Sequence, residues 1–332
     1  MFLILLLSSL LISLAVTGGL IKYLSQELLD IPNQRSSHSK PVLRGGGLGF
    51  IVAFAIVGAI AVISNSLTEF ALADYGRIWL VLTPLSIIGF IDDRRDISAS
   101  SRYLVQLLSA SLAVFYFGTV PFPWLSAWGL AGTIIAVAIS LIAITALINF
   151  YNFMDGLDGF VASITALQLG FIAIYLGQPI FLLLVAAIVG FLWWNWHPAK
   201  IFMGDIGSTV LGASVAIALL SGRTEIIPAW SALSITFPLI GDSIYTLARR
   251  LLNKENIFEP HRTHIYQRLQ QSGLSHDWVA IIYLLVTLAS GCLIYWLGIY
   301  SLVANLLLVI TAIAIAETYF ATQSDRDLAI KK

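Results

Sequence analysis

The chain has 332 residues, of which 58% are hydrophobic and only 11% charged. That composition excludes a soluble domain and a two-domain cytosolic enzyme, and leaves an all-α integral membrane protein forming one polytopic domain over residues 1–332. The formal net charge is zero, so total charge names no partner, nothing points to nucleic acid, and the placement of the charges has to carry the argument.

A bilayer core takes about 20 apolar helical residues to cross. On that basis the chain reads, in order, as about eleven spans near 2–22, 46–64, 76–91, 102–119, 127–148, 158–176, 179–195, 205–221, 229–248, 277–297 and 299–320, with ten as the alternative count. Lys22 is the first charged residue, so the first run lacks the basic start of a cleavable signal and reads as a retained helix. The single cysteine, Cys292, falls inside an apolar run and reads as a small core residue. An outside N-terminus and a cytoplasmic C-terminus put every Lys and Arg except Arg77 and Arg223 on the inner loops and tail, the asymmetry expected of a cytoplasmic face.

Those inner loops also carry the acids, amides and histidines. Loop 23–45 contains DIPNQRSSHSKPVLRGGG, and loop 92–101 opens with DDRRD. NFYNFMDGLDGF at 149–160 interrupts two apolar runs with Asn149, Asn152, Asp155 and Asp158 at three-residue spacing. WHPAKIFMGD follows at 196–205, and RRLLNKENIFEPHRTHIYQRL begins at 249. The outer connections are nearly uncharged, so the polar clusters share one membrane face.

Each acid has a structural reading and a chemical one. Asp92 and Asp93 end the third span, where a helix C-terminus disfavours negative charge; Arg94 and Arg95 neutralise them, or the pair holds a divalent cation or shares a proton. If the loop at 149–157 enters the sixth span as a helix, Asp155 and Asp158 lie on one face with Asn152 a turn earlier. Capping by Asn152 or Asp155 explains one acid, whereas a second one a turn deeper needs a partner. Asp205 is an N-cap of the eighth span or a ligand. Asp242, inside the ninth span, is a site candidate or half of a structural pair. His261, Arg262, His264 and Tyr266 offer donors suited to phosphate oxygens. RGGG at 44–47 is no P-loop, and no thiolates or paired histidines occur at zinc-ligand spacing. Acids for a hard cation beside Arg and His for phosphates suggest Mg²⁺-dependent phosphoryl chemistry at the inner surface.

The segments GFIDDRRDIS, NFYNFMDGLDG, FMGDIGST and PHRTHIYQRL, in that order and each on an inner loop, resemble the polyprenyl-phosphate N-acetylhexosamine-1-phosphate transferase family of glycosyltransferase 4 type. The resemblance covers residues 30 to about 270. It implies a multi-pass enzyme of the bacterial cytoplasmic (inner) membrane with its active site on cytoplasmic loops, surrounded by membrane lipids and compatible with a homodimer. Such an enzyme transfers a sugar 1-phosphate from a UDP-N-acetylhexosamine to undecaprenyl phosphate, releases UMP, and uses Mg²⁺, with Mn²⁺ as an alternative.

By the same resemblance Asp205 is the metal ligand and Phe202 stacks on the uracil. Asp92 and Asp93 are the paired acids, with Asp92 the base for the lipid phosphate. Asn152, Asp155 and Asp158 line the nucleotide and metal site, Arg262 and His264 grip phosphates, and His38 and Lys40 are the polar positions of the first loop. The peptidoglycan members resemble one another in three consecutive histidines, whereas HRTHIY here is closer to the N-acetylglucosamine-1-phosphate and O-antigen branch, with Tyr266 in place of a histidine. Direct attack by the lipid phosphate and attack by an Asp nucleophile both remain open. The rival class is an ion-coupled secondary transporter; its site belongs near the midplane between related halves, and no matching halves are present here.

Overall fold

In a computed structural model the chain is described over residues 1–23, 28–32, 40–67, 71–221, 226–257, 259 and 261–330, the last seven as backbone helix only. The helices are α1 (Phe2–Tyr23), α2 (Gly47–Ile63), α3 (Leu72–Arg94), α4 (Ala99–Phe117), α5 (Gly129–Met154), α6 (Phe160–Tyr175), α7 (Ile180–Asn195), α8 (Gly204–Ser221), α9 (Ile226–Leu233), α10 (Phe237–Leu252), α11 (Ile265–Gln271), α12 (His276–Leu297) and α13 (Ser301–Ile330). A short antiparallel pair joins β1 (Leu29–Asp30) to β2 (Val42–Leu43). Every expected span is helical, and among the described residues five helical segments are long and apolar enough to cross a membrane. The protein is an all-α, multi-pass membrane protein.

Its outer surface shows why. Leu3, Ile4, Leu7 and Leu11 of α1, Leu104, Leu108 and Phe115 of α4, and Val303, Leu306 and Ile310 of α13 are all exposed, an arrangement that water would penalise and lipid does not. Cys292 belongs to this outward set: it is exposed on α12 rather than in the core, because that helix buries only one stripe.

Packing between the helices relies on small residues, since lipid tails leave no hydrophobic force to drive helices together. α8 is buried along most of its length and packs on α2, α3, α5 and α6. A Cβ on Gly47 would lie 2.4 Å from the Gly207 Cα, and one on Gly89 would lie 2.5 Å from the Ile206 Cα. Gly46 and Gly47 of the glycine run therefore serve close packing. Their N–H groups donate to the carbonyls of Phe202 and Met203, and Phe202 N–H donates to Leu43.

The ninth span is not one helix. It breaks into α9, a 3-10 turn at Ser234–Thr236 and α10, where Pro238 cannot supply the N–H that a continuous helix requires. Polar groups at the break are satisfied by neighbours: Gln168 Nε2 donates to the Ile235 carbonyl at 3.2 Å, and Asn305 Nδ2 donates to Ser234 Oγ at 2.7 Å.

Gly47→Ala is expected to lower stability by about 1–3 kcal/mol through overpacking, read as a drop in thermal midpoint in detergent. Gly19→Ala, whose Cβ would meet nothing within 4 Å, is the matched control and should leave the midpoint in place.

Candidate active site

The five polar segments meet at one end of the helices. α3 ends there, and its Asp93 does the work of a cap for a different helix: its carboxylate accepts the Asp205 N–H at 2.8 Å and the Ile206 N–H at 3.2 Å. These are orphan donors of the first turn of α8. Gly204 has a φ of +75° and no room for a side chain, because a Cβ would meet Asp93 Oδ2 at 2.3 Å. Asp205 is thus not a cap. Its side chain is free to turn into the cluster.

There Asp205 Oδ1 accepts from Asn152 Nδ2 at 3.0 Å, and Asn152 also reaches Ser208 Oγ at 3.0 Å. Arg102 Nη1 of α4 bridges Asp92 Oδ2 at 3.0 Å and Asp205 Oδ2 at 3.2 Å. Asp92 Oδ1 accepts the Ile97 N–H at 2.9 Å, which turns the chain from α3 toward α4. Asp155 sits just past the end of α5, partly buried. Burial, together with the charges of Asp205 and Asp93, pushes its carboxyl up to about 8. Asp92, Asp93, Asp155 and Asp205 therefore converge, and when all four are ionised they carry more negative charge than Arg102 and the nearby Arg44 offset.

Asp158 goes elsewhere. The helix does not run on from 149 into the sixth span as expected: α5 continues to Met154, residues 155–159 form a link, and Gly159 begins α6 from φ +68°. Capping of α6 by Asn152 or Asp155 is overturned with it, and the two acids share no helical face. Asp158 Oδ2 pairs with His197 Nδ1 at 2.6 Å, accepts the Ala199 N–H at 3.1 Å, and lies 3.4 Å from His276 Nδ1. Burial alone would raise this carboxyl, but the neighbouring His276 and His197 and the Ala199 N–H outweigh it and hold it below the usual range. Asn149 is structural, donating to Gln106 Oε1 of α4 at 2.7 Å.

The histidine loop is held by a second buried carboxylate, Asp242 of α10. It accepts the Ile265 N–H at 2.8 Å, the Tyr266 N–H at 3.1 Å and the Tyr283 hydroxyl at 2.7 Å. His264 Nδ1 stands 3.5 Å from Asp242 Oδ1, in ion-pair range but too long for a hydrogen bond. Burial and the nearby His264 and Arg250 lower His261 to about 4, so it is neutral at neutral pH. Tyr266 is fully buried, stacks on Phe160 and donates to the Phe153 carbonyl at 3.2 Å, filling the space that Gly156 leaves open. From α13, Glu317 pairs with Arg268 of α11 and accepts the Tyr245 hydroxyl at 2.8 Å.

Phe202 is half-buried three residues before Asp205, in the segment paired with Leu43. Lys40 is exposed ahead of β2, and His38 lies outside the described residues. Arg102 and Asp242 carry no sequence signal for their roles beyond a basic loop and an acid within a span, because both act on partners distant in the chain.

The family model for glycosyl transferase family 4 matches residues 76–223, which run from within α3 to the end of α8 and include Asp92, Asp93, Asp155, Asp158 and Asp205 but not Asp242 or Glu317. A Bacillus subtilis (strain 168) protein named probable undecaprenyl-phosphate N-acetylglucosaminyl 1-phosphate transferase is 32% identical over 277 residues, 77% of this chain and 74% of its own length. The chain belongs to glycosyl transferase family 4. Two further relatives of this glycosyl transferase are the decaprenyl-phosphate N-acetylglucosaminephosphotransferase of Mycobacterium tuberculosis (strain ATCC 25618 / H37Rv) and the undecaprenyl-phosphate alpha-N-acetylglucosaminyl 1-phosphate transferase of Escherichia coli (strain K12). The first is 30% identical over 76% of this chain and 71% of its own length; the second is 28% identical over 80% and 74%.

The folded value near 8 for Asp155 lies above the ordinary aspartate value of 3.8, so the native transferase holds a proton that the unfolded chain releases. Stability without divalent cations is expected to fall as pH rises between about 4 and about 8. Asp155→Asn should flatten that slope, and Mg²⁺ should stabilise the wild type most at the alkaline end. Thermal denaturation in EDTA and in Mg²⁺ across that range checks both expectations.

Proposed function

We propose that the protein transfers an N-acetylated amino-sugar 1-phosphate, with N-acetylglucosamine 1-phosphate the first choice, from a UDP-sugar to a polyprenyl phosphate such as undecaprenyl phosphate. UMP leaves, and a lipid-linked envelope polysaccharide such as O-antigen is begun on the cytoplasmic side of the inner membrane. The observation that carries this reading is the convergence of Asp92, Asp93, Asp155 and Asp205 at the helix ends, in a chain whose relatives bear the names given above. The inner-face placement rests on the distribution of Lys and Arg along the chain.

Oxygen donors in excess of their counter-charge suit Mg²⁺ or Mn²⁺, and Asp205 with Asp155 and the amide of Asn152 would hold it. When bound, the cation supplies neutralisation of the diphosphate. The residues of the chain do the rest. Asp93 keeps α8 in register so that Asp205 faces the cluster. Asp92, at the end of α3, takes the proton of the lipid phosphate, whose oxygen attacks the β-phosphorus while the bond to the UMP oxygen breaks. Phe202 supports the uracil, and Arg262 holds phosphate oxygens from the loop that Asp242 anchors, while His264, buried beside Asp242, braces that loop.

Tyr266 takes no part in sugar choice under this reading, because it is buried against Phe160. Tyr266→Phe should cost about 0.5–1.5 kcal/mol of stability while leaving the order of donor preference unchanged.

The direct test is a detergent assay of UMP release with UDP-N-acetylglucosamine, undecaprenyl phosphate and Mg²⁺. Asp205→Asn should lower turnover by about 10²–10³-fold, in line with the loss of one electrostatic stabiliser. No UMP from that donor or from a panel of UDP-amino sugars, with Asp205→Asn indistinguishable from wild type, would sink the assignment.

A further inference from the structure

A second polar cluster stands apart from the acids around Asp205. Asp158 comes from the link between α5 and α6, His197 from the turn after α7, and His276 from the first turn of α12. One ligating atom of each lies within 4.8 Å of the others. Asp158 Oδ2 is 2.6 Å from His197 Nδ1 and 3.4 Å from His276 Nδ1. Bonds of about 2.0–2.1 Å from a tetrahedral ion to nitrogen and oxygen set neighbouring donors a little over 3 Å apart, so the three atoms need move by less than about an ångström to share one.

The protonation pattern permits it. His276 Nδ1 presents a lone pair, now accepting the Asp158 N–H across a long 3.3 Å contact that an ion would replace. His197 needs only to carry its proton on Nε2 instead of Nδ1, a change of tautomer without change of charge. The Ala199 N–H at 3.1 Å remains on Asp158 Oδ2 and orients the carboxylate from behind. Asp158 and His276 are buried while the His197 side chain is 37% exposed, which leaves an entry route and room for water as a further ligand. The N-terminus of α12 opposes a cation by roughly half a charge, and Asp158 offsets this. So does Asp277, whose buried Oδ1 has no hydrogen-bond partner among the described residues.

We propose that Asp158, His197 and His276 form a binding site for a borderline transition-metal ion, Zn²⁺ fitting best, separate from the oxygen-rich cluster at Asp205. Two imidazoles and one carboxylate prefer Zn²⁺ to Mg²⁺, which favours oxygen donors alone. An ion there ties the 155–159 link, the 196–200 turn and the start of α12 together, on the flank of the acid cluster. This site does not rest on the transferase reading.

The test is calorimetric titration of ZnCl₂ into tag-free, detergent-solubilised full-length protein in saturating MgCl₂, so that the oxygen-rich site is already taken. One equivalent should bind to the wild type, with affinity lowered about 100-fold in His197→Ala and in His276→Ala. Co²⁺ in place of Zn²⁺ should give d–d absorption of a mixed nitrogen and oxygen site, absent in His197→Ala. His197 is partly exposed, so His197→Ala decides the matter even if the buried His276→Ala fails to fold. Absence of stoichiometric Zn²⁺ binding, or binding and Co²⁺ spectra unchanged by His197→Ala, overturns the proposal.

Discussion

A helix that begins at a membrane surface leaves backbone N–H groups unpaired, and in α8 those groups are given to a carboxylate from another helix. Asp93 at the end of α3 accepts the N–H groups of Asp205 and Ile206, which fixes where α8 starts, which way Asp205 faces, and how closely α3 approaches. The glycines follow from that one contact. Gly204 adopts positive φ to make the turn beneath Asp93, and Gly89 and Gly207 let three backbones meet without side chains between them. Asn152 and Arg102 can then reach Asp205 from α5 and α4.

The same solution recurs on the other side. Asp242 of α10 receives two N–H groups at the start of α11 and so carries the loop of His261, Arg262 and His264. A short helix of seven residues would have little stability alone. Here it is tied by Asp242 at its beginning and by Glu317 through Arg268 farther along. Both halves of the site are therefore built from acids lent between helices. Electrostatic loading at the membrane edge is met by backbone dipoles and cations, with the remaining charge around Asp155 and Asp205 left for a ligand.

Much of the fold was legible because an apolar run of sufficient length has few alternatives to a helix in lipid. The ninth run looked continuous by hydropathy, yet Pro238 and its polar neighbours divide it. The stretch 149–160 looked like a loop leading into a helix, whereas Asn149 and Asn152 belong to the last turns of the preceding one, where Gln106 and Ser208 satisfy them. Spacing of three therefore suggested a shared face for Asp155 and Asp158 that the left-handed Gly159 abolishes. Tyr266 looked like a marker of substrate because it replaces a histidine, and it is a buried strut. The pairings of Arg102 with Asp205, or of Asp158 with His197 and His276, join segments from 39 to 118 residues apart. No local pattern announces them.

The interrupted ninth span has a consequence for biogenesis. Of the two side chains that satisfy its break, Gln168 is made long before Ser234–Thr236 leaves the ribosome, but Asn305 is made long after. As the chain emerges from the N-terminal end, α9 and α10 enter the bilayer with one of their two partners still unsynthesised. Asn305 at the break and Glu317 at Arg268 both come from α13, so both contacts wait on that helix.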